Sequence, residues 1–103
     1  MELNLNYQKA IEIEIIKLLG DKLADQVSIT HLAGRGLLKL SIKDEVGPFK
    51  PLEKLSYEDL KSTIQDALRD RLIKLEIINS NQIIAFLLDE LNKNQSLITM
   101  AGV

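Results

Sequence analysis

Gln26-Val27-Ser28-Ile29-Thr30-His31-Leu32-Ala33-Gly34-Arg35-Gly36-Leu37-Leu38-Lys39-Leu40-Ser41-Ile42-Lys43 is the stretch whose reading decides the fold class. Leu38, Leu40 and Ile42 alternate with Lys39, Ser41 and Lys43, which is the period of a half-buried strand. Gly34 and Gly36 flank Arg35, and two glycines suit a tight chain reversal. The spacing predicts a β-hairpin with arms over 26–32 and 37–43. One face of it packs inward and the other is solvated and partly basic.

The flanking segments read mostly as helix. Over 8–25, Ile11, Ile15, Leu18, Leu19 and Leu23 follow helical spacing, with Gly20 marking an end or a kink. Residues 2–7 alternate Leu3, Leu5 and Tyr7 with polar residues, as a short strand or a lead-in would. The loop 44–55 contains two prolines and a glycine, and Val46, Phe49, Leu52 and Leu55 are expected to pin it to the body.

Ser56 opens the next helix as its N-cap, with Glu58 and Asp59 at the positive end of its dipole. Its buried stripe is Leu60, Ile64, Ala67, Leu68, Leu72 and Leu75. From 72 to 91 helix and second hairpin compete, because Ile73-Lys74-Leu75-Glu76-Ile77 alternates as well. Sparse β-branching after Ile84 favours helix for 82–91. Residues 94–103 read as a flexible tail.

These elements predict a single-domain, two-layer α+β fold spanning 1–103. An antiparallel sheet built on the 26–43 hairpin is covered by two or three helices. If 2–7 and 72–78 are both strands, the order becomes β-α-β-β-α-β, a ferredoxin-like arrangement.

Composition narrows the function. The chain has 103 residues, enough for one core and not two. A net charge of −2 argues against a generic binder of phosphate backbones. With no cysteine there is no thiolate metal ligand, disulfide framework or thiol nucleophile. No apolar run approaches the length of a membrane span, and the first residues lack the regions of a signal peptide. A cytoplasmic protein without a membrane role is expected.

Little in the chain carries chemistry. His31 is the single histidine, and no cluster at metal-ligand spacing surrounds it. Gly34-Arg35-Gly36 lacks the spacing and the Lys-Ser/Thr of a phosphate loop. The carboxylates are scattered. No catalytic residue, cofactor site or metal site is expected, and the reading leans away from an enzyme.

Three function classes remain, the last-ranked being a small enzyme centred on His31. The first is a small interaction protein, a homodimeric adaptor or chaperone-like factor whose partner is a second copy or another protein. Its expected interface is the aliphatic surplus Ile77, Ile78, Ile83, Ile84, Phe86, Leu87, Leu88 and Leu91. The second is a nucleic-acid-associated factor using Arg35, Lys39 and Lys43 on the hairpin face, although that face offers no aromatic residue for base stacking.

Overall fold

The computed structural model describes residues 13–101, and none of these is in a β-strand. Six α-helices, a 3-10 turn and a π-helical segment account for most of them. Helix α1 is Glu14–Val27 and α2 is His31–Val46. The 3-10 turn is Leu52–Lys54. A continuous helical rod then runs as α3 (Tyr57–Ser62), a π-helical segment (Thr63–Leu68) and α4 (Arg69–Lys74). Helix α5 is Ser80–Lys93 and α6 is Gln95–Ala101.

The expected α+β class and its hairpin are therefore overturned. Segment 26–43 is the end of one helix, a three-residue turn and most of the next. Ser28 takes the left-handed conformation (φ 61°) and caps α1, its N–H donating to the Ala24 carbonyl. Thr30 caps α2, its side-chain oxygen accepting from the Ala33 N–H at 3.1 Å. The reversal sits at Ser28 to Thr30, not at the glycines. With no sheet among the described residues, the ferredoxin-like order falls too. Residues 72–78 contain the end of α4 and a turn instead of a strand. The expected strand over 2–7, and the start of the helix over 8–25, lie outside the described residues.

The reason 31–46 is helical lies in what α1 offers it. Gly34 is buried, and a Cβ there would stand 2.3 Å from the Gly20 carbonyl oxygen and 2.6 Å from the Ala24 Cβ. A Cβ on Gly20 would stand 2.7 Å from the Arg35 Cα and from its Cγ. The two backbones touch where α1 carries Gly20 and Ala24, one helical turn apart, and α2 carries Gly34. A close crossing needs small residues on both sides, and these three supply them. Each glycine costs about 0.5–1 kcal/mol of helix propensity. At Gly20 and Gly34 that cost is offset by close packing of Leu19, Leu23, Leu38 and Ile42, all at most 1 % exposed.

The rod of α3, π segment and α4 forms the other wall of the core. Ser56 makes the predicted cap and completes a capping box: its side chain accepts from the Asp59 N–H, and its own N–H donates to the Asp59 carboxylate, both at 3.0 Å. Leu60, Ile64, Leu68 and Leu72 are all fully buried. At 3.6 residues per turn, each i,i+4 step rotates about 40°, so four such residues would spread over about 120° of an α-helix. The π segment between them winds more slowly, with i→i+5 pairing, and turns the stripe back onto one line. Leu75 leaves this stripe because the helix ends at Lys74; it is exposed.

Helix α5 closes the core with Ile83, Ile84, Leu87 and Leu91, and Tyr57 donates a hydrogen bond from its hydroxyl to the Asn92 side-chain oxygen. Of the residues expected to pin the loop, Val46 ends α2 and packs on the core; in the connection that follows, Leu52 packs on the core, Leu55 is buried and Phe49 is 93 % exposed.

Candidate functional site

Three features of the surface stand out. The first is the α1–α2 seam. Because Gly20 has no side chain, the Arg35 stem lies across it and delivers the guanidinium to Asp21. The pair is bidentate, at 2.7 Å from Nε to Oδ1 and 3.0 Å from Nη2 to Oδ2. His31 stands next to it, with Nε2 2.9 Å from Asp25 Oδ1 and Nδ1 3.6 Å from Asp21 Oδ2. The Arg35 hydrogen bond holds the Asp21 carboxyl below the usual carboxylate value against the opposing effect of burial; Arg35, His31 and Lys17 charges add to it. Both His31 nitrogens face carboxylates of the neighbouring helix. His31 thus links α2 to α1 through these carboxylates.

The second place is an open cleft where the end of α2 meets the rod, lined by Asp44, Glu45, Asp66, Arg69, Arg71 and Lys74 among others. Arg71 Nε reaches Asp44 Oδ2 at 2.7 Å. Burial pushes the Glu45 carboxyl up, and the neighbouring Asp66 charge pushes it further, while the Ala67 backbone N–H pulls it down. The charges of this cleft are mixed in sign. Among the described residues, no three His, Cys, Asp or Glu side chains are grouped to hold a metal ion.

The third feature is apolar surface. Ile29, Leu32 and Leu40 are exposed along the α1–α2 turn and α2, at 39 %, 75 % and 46 %. Ile73, Leu75 and Ile78 are exposed around the turn between α4 and α5, and Ile78 is fully so.

The residues expected to act from sequence are distributed differently. Of the eight aliphatic and aromatic candidates, Ile83, Ile84, Leu87 and Leu91 lie in the chain's own core. Ile77, Phe86 and Leu88 are partly buried against that core. Ile78 alone of the eight stands in solvent. Arg35, Lys39 and Lys43 share one side of α2 at i, i+4 and i+8, so the structure does align them, on a helix instead of a strand. The Arg35 fork, however, is spent on Asp21. Sequence reasoning missed Leu32 and Leu40 because strand alternation placed Leu40 beside Leu38 and Ile42 on the inner face. Helical periodicity over 31–46 would have put Leu40 opposite them.

The chain matches no protein-family model, no curated protein and no solved structure. No described helix is long and apolar enough to cross a membrane.

Proposed function

We propose that this chain is a small cytoplasmic interaction protein that self-associates and serves as an adaptor or chaperone-like factor. One observation carries the reading: large aliphatic side chains stand in solvent in two separate groups, Ile29, Leu32 and Leu40 on one and Ile73, Leu75 and Ile78 on the other. Fully burying a side chain of this size stabilises by about 1.5–3 kcal/mol, so each group is a reservoir of binding free energy. Two surfaces on one chain suit an adaptor, which must hold two neighbours at once. The polar groups support the same reading, since His31 and Arg35 serve the α1–α2 seam.

Sedimentation of the full chain from low micromolar to several hundred micromolar tests the self-association. The proposal expects the mean mass to rise with concentration towards twice the chain mass. A mass that stays at 11.6 kDa throughout would remove it.

A further inference from the structure

Gly36 is a glycine without an internal reason. Gly34, two residues earlier, is required by the crossing with α1. A Cβ on Gly36 would meet nothing within 4 Å, and its φ is not in the left-handed region. A glycine in a helix interior weakens the helix relative to alanine. The position leaves room for another backbone to approach this helix closely.

What surrounds Gly36 says which backbone fits. With Leu38 taken as facing the core, 3.6-residue periodicity places Leu32, Gly36 and Leu40 at about 120°, 160° and 200° round α2. All three therefore share its solvent face, and both leucines are exposed. The pattern is symmetric about the glycine, with one leucine a turn before it and one a turn after. A face of this kind fits its own copy when the second helix runs antiparallel: glycine meets glycine at the axis, and each Leu40 meets the other chain's Leu32. Such a contact is two-fold and closes on itself.

Charge agrees. In the antiparallel arrangement Lys43 of each copy lies across from position 29 of the other, beside the last turn of α1. That turn contains no basic residue, and Asp25 there has a side chain 63 % exposed. A lysine favours both the carboxylate and the negative end of a helix dipole. Lys43 leans to the same side of α2 as Arg35, the side on which α1 packs, so the two-fold rotation carries it to α1 of the partner.

We infer that the solvent face of α2, centred on Gly36 and flanked by Leu32 and Leu40, is an antiparallel docking surface for a second copy of this chain. This rests on the self-association proposed above and specifies its surface. A single helix crossing is a small interface, so the association is expected to be in the micromolar range.

The full chain with Gly36→Cys tests it, because the natural sequence has no cysteine to confuse the result. Two cysteines on the axis can form a disulfide, which needs Cα atoms roughly 4.4–6.8 Å apart. Under mild oxidation, Gly36→Cys is expected to form covalent dimer at least ten times faster than Ala85→Cys, an exposed position on α5. Leu40→Glu, read by sedimentation, is expected to weaken association at least tenfold while circular dichroism stays helical. Wild-type dimers with no preferential cross-link at Gly36 and no effect of Leu40→Glu would overturn the surface and leave self-association standing. A wild type that never exceeds the monomer mass would overturn both.

Discussion

Gly34 of α2 sits so close to Gly20 of α1 that a Cβ at 34 would lie 2.3 Å from the Gly20 carbonyl oxygen. Backbone cannot move aside as a side-chain tip can. Gly34→Ala should therefore destabilise the fold by about 1–3 kcal/mol, despite alanine's better helix propensity. Gly36→Ala, where an added Cβ meets nothing within 4 Å, should stabilise by about 0.5–1 kcal/mol. Thermal unfolding well below the micromolar range of association, where the chain is monomeric, checks both. Opposite signs two residues apart are expected; a stable Gly34→Ala would contradict the crossing.

The Asp21–Arg35 pair predicts a pH dependence. Asp21 has a folded pKa below its ordinary value of 3.8, so its stabilisation is present above that value. It is lost as pH falls through the lower folded value. Asp21→Asn should cost on the order of 1 kcal/mol at pH 7, since the pair is bidentate but partly solvated. Denaturant unfolding at pH 7 and pH 2.5 should show the gap between wild type and variant closing in acid. A gap of constant size would mean that the carboxylate contributes nothing through its charge.

Glu45 predicts the opposite slope. Its folded pKa is raised above 4.5 by burial first and by Asp66 second. Between 4.5 and the higher folded value, the folded chain holds a proton that the unfolded chain has released, so stability falls as pH rises through that window. Glu45→Gln keeps an oxygen for the Ala67 N–H and loses the charge. It should melt higher than wild type at pH 7, and the difference should shrink towards pH 4. A lower melting temperature at pH 7 would show that the charged form is favoured in place.

Within 77–91 the structure separates core from surface, and mutation should do the same. Leu87→Ala removes a side chain 1 % exposed and should cost about 2–5 kcal/mol. Ile78→Ala, at a fully exposed position, should change stability by less than about 0.5 kcal/mol. Comparable losses at both would contradict the placement of α5.

Much of the second half of the fold was legible. Ser56 and Asp59 form the cap that the sequence announces, and Leu60, Ile64, Leu68 and Leu72 are the stripe that helical spacing predicts. The π segment inside it was not, since nothing local distinguishes 63–68 from α-helix; only the strict i,i+4 spacing of four fully buried residues hints at slower winding. The first half was misread for a definite reason. Leu38, Leu40 and Ile42 alternate as in a strand, yet Leu40 belongs to the solvent face of a helix. Gly34 and Gly36 look like a turn, but one is a crossing contact and the other faces outward. The signals that would have corrected this are Thr30, three residues ahead of the Ala33 N–H it caps, and the Gly20–Ala24 spacing that waits for a small residue on another helix. The apolar surplus of 77–91, read as an interface, is mostly the chain's own core.

The crossing with α1 and the docking face both depend on α2 being one helix with Leu40 and Gly36 on its outer side. Backbone NMR chemical shifts across 26–46 test that most directly. The account predicts helical Cα shifts from His31 to Val46 without interruption at Gly34 or Gly36, and a left-handed signature at Ser28. Extended shifts over 37–43, with a turn at 34–36, would restore the hairpin and remove both the α1–α2 crossing and the docking face.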